Sequence, residues 1–225
     1  MGQYYKIVNV DKRELLDPYF GCKLMEWSYQ GNHTINALFN LLQDRWKGDR
    51  VYVVGDYADM ENDGTLACWQ PTYKQLAIEL GFDGEVAGKD DGYISEGYPI
   101  TLYAYASKNF EDIYEKVPHE TIEKDARYIY NHKHQCVIDL AKLPATYESF
   151  DYEKGRPYHM YISPLSLLLA MGNGRGGGDY YSEYPGYELV GSWCETSQDI
   201  EISGYMIHPE YDDFEPGFTE MRGEK

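Results

Sequence analysis

Apolar side chains recur along the chain in two distinct rhythms, and these divide it into elements. Residues 3–10 carry a short apolar run around Tyr5, Ile7, Val8 and Val10 and read as a strand, closed by the charged turn at 11–14. A loop with Pro18 and Gly21 follows. Within 34–46, Ile35, Leu38, Phe39, Leu42 and Trp46 fall on one face of a helix, with Asn32 or Thr34 as N-cap and Gly48 as the stop. Residues 50–56 form a β-branched run expected in the interior of a sheet. A second helix is expected over 72–80, entered through Pro71 and stopped by Gly81. Residues 82–97 are rich in glycine and acid and read as an exposed loop.

Further on, 99–106 alternates as a strand and 110–116 reads as a short helix. The period of two over 127–140 predicts one long strand with Tyr128, Tyr130, His132, His134, Cys136, Ile138 and Leu140 on a single face. A strand at 158–162 and a short apolar helix at 164–171 precede a glycine-rich decapeptide, 172–181. Two strands at 188–193 and 199–207 are expected to form a hairpin. Residues 209–225 are acidic and aperiodic and read as a frayed tail, so the expected domain is 1–208. Strands at both ends with helices between them predict a single α+β domain, built on a mixed, mainly antiparallel sheet with two or three helices.

Composition narrows the functions open to such a domain. The chain has 225 residues, 38 acidic against 20 basic, for a formal charge of −18. That excess repels nucleic-acid phosphates, and no basic run offsets it, so direct nucleic-acid binding is not expected. An acidic surface favours solubility and attracts basic partners; its sharper reading is a decoy whose carboxylates imitate a phosphate backbone. The longest uncharged apolar run, 162–171, falls short of the ~20 residues of a bilayer span, and the opening residues lack the apolar stretch of a secretion signal. Cys22, Cys68, Cys136 and Cys194 are widely spaced without a CxxC pair and read as reduced thiols of a cytosolic protein. Tyrosine is over-represented, 24 against 7 phenylalanines, which fits half-buried strands and also contact surfaces.

The decapeptide is the leading candidate site. Five glycines in 172–178 let consecutive backbone N–H groups converge on an anion. Asn173, Gly174, Gly176 and Gly177 would line that cradle, and Arg175 adds a fork of donors suited to phosphate or carboxylate. Asp179 is placed to take a sugar hydroxyl, and Tyr180 or Trp193 a flat ring. The segment lacks a GK[ST] ending and follows a helix instead of preceding one, so it is no standard phosphate loop. Asp56 ends an interior strand, where sheets often place functional carboxylates. Glu26, with Trp27, Ser28 and Asn32, either lines a pocket or staples and caps the first long helix.

Two metal patterns are weaker. Asp59, Glu61, Asp63 and Gly64 open like a calcium loop, but position three is Glu61 and position twelve is Gln70. His132 and His134, at i and i+2, could share a metal and the Cys136 thiolate suits zinc, but same-face side chains about 7 Å apart put three ligands on one straight strand under strain, and no fourth ligand is signalled. Neither a metal nor a cofactor is expected, and no nucleophile motif calls for catalysis.

Several fragments taken together carry a resemblance: Met1-Gly2-Gln3-Tyr4-Tyr5-Lys6, Lys23-Leu24-Met25-Glu26-Trp27-Ser28-Tyr29, Gly55-Asp56-Tyr57-Ala58-Asp59, the stretch 172–180 and Val190-Gly191-Ser192-Trp193. The set is similar to a family of hypothetical proteins of bacteria and their phages. The resemblance implies a single domain in a cytosolic, phage-encoded setting and transfers no catalytic residue. The residues themselves predict a binder of a small anionic, nucleotide-like ligand; the alternative is an acidic, tyrosine-rich inhibitor of a basic host protein.

Overall fold

The protein is described by a computed structural model covering residues 3–18, 22–58, 68–89, 96–120, 126–143, 147–151, 155–172 and 179–219. Among these residues, one sheet has the order β4 (Glu111–Asp112), β2 (Glu14–Leu16), β1 (Tyr5–Asn9), β3 (Val51–Gly55), β9 (Ala170–Met171). β1 runs antiparallel to β2 and β3, while β2–β4 and β3–β9 are parallel. A second sheet has the order β10 (Ile200–Ser203), β5 (Tyr128–Asn131), β6 (Cys136–Asp139), β11 (Asp212–Asp213), and β7 (Tyr147–Asp151) pairs antiparallel with β8 (Arg156–Met160). With the helices below, this is the expected α+β fold with mainly antiparallel pairing.

The period of two along β1 and β3 explains how the first sheet is covered. Tyr5, Ile7, Val51 and Val53 join one core cluster, with α2 (His33–Gln43) and α5 (Pro164–Leu168). Val8, Tyr52 and Val54 join another on the opposite face, with α3 (Gln70–Leu80) and α4 (Leu102–Asn109). Both strands are therefore apolar on both faces, as interior strands must be. Lys6 is the exception on the α4 side, 4% exposed. Its ammonium reaches Ser107 Oγ and Asp17 at 2.7 and 2.8 Å and lies 4.5 Å from the Tyr103 ring centroid, so the charge is paired.

Local signals account for the helices. The Asn32 side chain accepts from Thr34 N at 2.8 Å and starts α2, whose Ile35, Leu38 and Leu42 are fully buried. Pro71 sits in the first turn of α3 and Gly81 closes it at φ +81°. The short α1 (Leu24–Trp27) buries Leu24, Met25 and Trp27.

Four sequence expectations are corrected. The segment 99–106 is not a strand: Thr101 Oγ1 accepts from Ala104 N, and Leu102, Tyr103 and Ala106 form the buried stripe of α4. The segment 110–116 is the edge strand β4 and a single 3₁₀ turn. Residues 127–140 are a hairpin, β5 and β6, turned by His134 N donating to Asn131 Oδ1 and by Gln135 at φ +51°. Residues 188–193 do not pair with β10, which instead pairs with β5; they hold 3₁₀ and turn structure.

The stretch 209–219 also departs from the expected frayed tail. β11 pairs with β6, Phe214 stacks on Trp193, and Phe218 is 5% exposed. The burial of two aromatic rings holds this acidic segment to the body. Residues 220–225 lie outside the described ones.

Candidate functional site

β3 and β9 run parallel, and their carboxyl ends lie beside the start of β1, with Tyr5 opposite Gly55 and Val54 opposite Met171. In open sheets this carboxyl edge of parallel strands is where ligands gather. Two glycines make room there. A Cβ on Gly172 would overlap the Tyr5 hydroxyl and lie 2.9 Å from Tyr5 Cζ; a Cβ on Gly55 would overlap Gln3 Nε2 and lie 2.6 Å from Gln3 Cδ.

Into that space the chain inserts two buried polar side chains. Gln3 and Tyr5 are 0% and 2% exposed, and Tyr5 Oη donates to Gln3 Oε1 at 2.9 Å. Burial raises the Tyr5 phenol well above its ordinary value, and the negative charge of Asp179 and Asp56 pushes it further the same way. Tyr5 thus stays a neutral donor, shared between Gln3 and Asp179. Asp179 is itself 1% exposed.

Asp56 occupies the outer side of this cluster. Its backbone N–H donates to Tyr4 O at 2.9 Å and its Oδ1 accepts from Tyr4 N at 3.0 Å, which closes the β1–β3 ladder. Half-buried, it has its carboxyl raised above the usual range by desolvation, against the lowering effect of the Tyr4 hydrogen bond. Tyr4 itself is 42% exposed, an aromatic ring on the same strand end.

Comparison with protein-family models, with curated proteins and with solved structures found no match to this chain. The reading of the site therefore rests on its geometry.

The sequence candidates divide as follows. Asp56 and Asp179 are brought to one edge through Tyr5. Asn173, Gly174, Arg175, Gly176 and Gly177 lie outside the described residues, although Gly172 and Asp179 on either side belong to this edge. The rings of Tyr180 and Trp193 are enclosed, 1% and 3% exposed. Tyr180 Oη donates to the Pro185 and Thr219 carbonyls and accepts from Thr219 N. Trp193 stacks on Phe214 with centroids 5.7 Å apart. Neither ring offers a face to a ligand. Glu26 caps its own helix, accepting from Lys23 N at 2.9 Å.

The acidic stretch 59–64 lies outside the described residues apart from its neighbours. His132 and Cys136 sit on either side of the β5–β6 turn, not in one row. His132 contacts Glu201 Oε2 at 2.9 Å and the Tyr211 hydroxyl at 3.1 Å, while burial pushes the Cys136 thiol up to about 11. Among the described residues no three His, Cys, Asp or Glu side chains are grouped to hold a metal, and all four cysteines are free thiols.

Sequence reading missed Gln3, Tyr4 and Tyr5. The available signal was a Gln-Tyr-Tyr run opening a strand, set against glycines that end two others.

The raised Asp56 carboxyl has a consequence for stability. Its proton is held more tightly in the folded than in the unfolded chain, so ionisation works against folding once the pH exceeds the unfolded value near ~4. Asp56→Asn keeps the Oδ1 acceptor and removes that charge. The variant is expected to melt higher than the parent at pH 7, with the gain shrinking to nothing as the pH falls through ~4. Thermal melts across pH check this; a lower melting temperature at pH 7 would mean that the fold needs the carboxylate.

Proposed function

We propose that the chain binds a small anionic, nucleotide-like ligand at the carboxyl ends of β3 and β9. The observation that supports this reading is the convergence of Tyr4, Tyr5, Asp56 and Asp179 on the edge that also holds Gly172. Asp56, half-buried at the end of β3 and costly to the fold when ionised, is the acceptor for a ligand hydroxyl. Asp179, enclosed, holds Tyr5 in place. The exposed Tyr4 ring takes the part first given to Tyr180 and Trp193, a platform for a flat ring. Arg175 and the amides of 173–177 supply the positive charge for the anionic group. With no nucleophile motif, the role is capture; in the cytosolic, phage-encoded setting that the resemblance implies, capture removes a host signalling nucleotide.

Titration calorimetry against ribonucleoside mono- and triphosphates tests this. Arg175→Ala is expected to weaken binding by about 2 kcal/mol, the worth of a charge-assisted hydrogen bond, and to leave the melting temperature within a degree or so. A large loss of melting temperature with affinity unchanged would make Arg175 architectural and remove the reading.

A second reading has one specific support. Tyr205, Met206 and Ile207 are 76%, 41% and 43% exposed in one run, close to the acidic Glu210, Asp212 and Asp213. An apolar patch with an acidic border on a chain of charge −18 suits a basic partner protein. Binding through it would fade in moderate salt, whereas a pocketed ligand would hold better. No helix among the described residues is long and apolar enough to cross a membrane.

A further inference from the structure

The outer face of the second sheet carries a chain of hydrogen bonds separate in residues from the β3–β9 edge. The β5–β10 register sets Glu201 opposite Tyr130, on the side turned away from the core cluster that holds α2, and the His132 ring stacks on Tyr130 with centroids 6.2 Å apart. Glu201 Oε2 accepts from His132 Nε2 at 2.9 Å, and Lys47 Nζ donates to its other oxygen at 2.6 Å. Against the raising effect of burial, these two hydrogen bonds hold the Glu201 carboxyl below its usual range, so it acts as an acceptor only. Nε2 of His132 therefore carries the proton and Nδ1 the lone pair. The Tyr211 hydroxyl, 3.1 Å from Nδ1, donates to it.

Carboxylate, imidazole and hydroxyl in this order make an activated nucleophile: a base within hydrogen-bond reach, held in one tautomer by a third group. No motif marks it in the sequence, because its members come from β10, the end of β5 and the turn before β11. The relay is open to solvent, with the side chains of His132 and Glu201 33% and 23% exposed. Beside it runs the exposed apolar stretch Tyr205, Met206, Ile207. Tyr130 pins that stretch, its hydroxyl donating to Tyr205 O at 3.1 Å and accepting from Ile207 N at 2.9 Å.

We infer that Tyr211 is an acyl-accepting nucleophile toward uncharged aryl esters, with His132 as its general base and Glu201 as a positioning residue. Tyr211 Oη bonds to the ester carbonyl carbon while its proton passes to His132 Nδ1. The bond from that carbon to the aryl oxygen breaks, and the aryloxide leaves with the proton from His132. Water then hydrolyses the acyl-tyrosine, which restores the hydroxyl and releases the acid. An acyl-tyrosine is itself an aryl ester, so only a donor whose leaving group is no poorer than a phenol can load it. The apolar stretch receives the aryl ring. Phosphate esters are disfavoured by charge, since Glu201, Glu210, Asp212 and Asp213 border the relay on a chain of charge −18. The site is independent of the nucleotide reading, in residues and in chemistry.

The test treats the full chain with less than one equivalent of p-nitrophenyl acetate, follows nitrophenolate release and maps the acetyl group by peptide mass spectrometry. Tyr211 is expected to be acetylated ahead of Tyr205 and Tyr98, which are more exposed, 76% and 57%, but lie outside the relay. His132→Gln should slow acetylation of Tyr211 about a hundredfold, the lower end of general-base catalysis, and leave that of Tyr205 unchanged. Glu201→Gln, which can present a donor in place of the carboxylate and so release the tautomer, should also slow Tyr211 alone. Tyr211→Phe keeps the ring that stacks on His208 at 4.6 Å and should remove the fast nitrophenolate release. Absence of acetyl on Tyr211, acetylation of Tyr205 or Tyr98 ahead of it, or a Tyr211 rate unchanged in His132→Gln would each overturn the inference. The last result, with a lower melting temperature, would make the relay a clasp for the turn 208–211. None of these outcomes bears on the titration with Arg175→Ala described above.

Discussion

Gly191→Ala is expected to destabilise the fold by about 3–4 kcal/mol. Two costs add at this position. Gly191 holds φ +77°, and a side chain in the left-handed region costs about 1–2 kcal/mol. A Cβ there would also lie 2.6 Å from the Ala170 carbonyl oxygen and 2.7 Å from Trp69 Cδ1. Neither neighbour can withdraw easily. Ala170 is paired with Val53 in the sheet, and Trp69 is 2% exposed within the core between the sheet and α3. Overpacking of this kind costs about 1–3 kcal/mol. Gly191 also donates to Leu167 O at 2.9 Å and accepts from Cys194 N at 3.1 Å, so its displacement loosens the strap over β9. Gly217→Ala is the control, since it has φ +67° with nothing within 4 Å of its Cβ. Urea denaturation of both variants separates the terms: Gly217→Ala should lose only the conformational share. Equal losses would mean that the close packing of Gly191 contributes nothing.

Gly172→Ala is expected to cost about 3 kcal/mol, the top of the overpacking range. The added Cβ overlaps the Tyr5 hydroxyl and crowds Cζ and Cε1 at 2.9 and 3.0 Å. Tyr5 is 2% exposed and its hydroxyl is committed to Gln3, so the ring has nowhere to move. Tyr5→Phe removes the nearest atom but leaves the two ring carbons. Combining the substitutions should therefore recover about half of the loss, a non-additivity visible in a double-mutant cycle. If Gly172→Ala costs nothing, or the cycle is additive, Tyr5 does not stand over Gly172 and the constellation falls.

How much of this was legible depended on where each structural cause sits in the sequence. α2 was readable because its apolar stripe and its Asn32 cap are local; its end was misplaced, since the helix closes at Gln43 with Asp44 as its cap, ahead of Gly48. α4 was misread because Leu102, Ala104 and Ala106 alternate as a strand would; the Thr101 cap was the signal that separates the two periods. In the β5–β6 hairpin the even positions change face across the turn, Tyr128 and Tyr130 lying with Val137 and Ile129 with Cys136 and Ile138, but that turn has neither glycine nor proline, so the pattern passed for one long strand. In the acidic tail, Phe214 and Phe218 outweighed the charges around them.

The site divides in the same way. Asp56 was legible from its place at a strand end. Gln3 and Tyr5 were not, because their cause is the absence of side chains on Gly55 and Gly172, distant in sequence and adjacent only through the β1–β3–β9 pairing. Tyr180 and Trp193 looked like ligand platforms beside a glycine-rich segment; tertiary packing uses both rings internally.

Amide chemical-shift mapping of the ¹⁵N-labelled full chain, titrated with ribonucleoside mono- and triphosphates, tests the central claim most directly. The account predicts saturable shifts at Tyr4, Tyr5, Asp56, Gly172 and Asp179 and through 173–178, with the relay at His132 and Tyr211 and the run 205–207 unmoved. Shifts confined to either of those two places, or no saturable shift with any nucleotide, would contradict it.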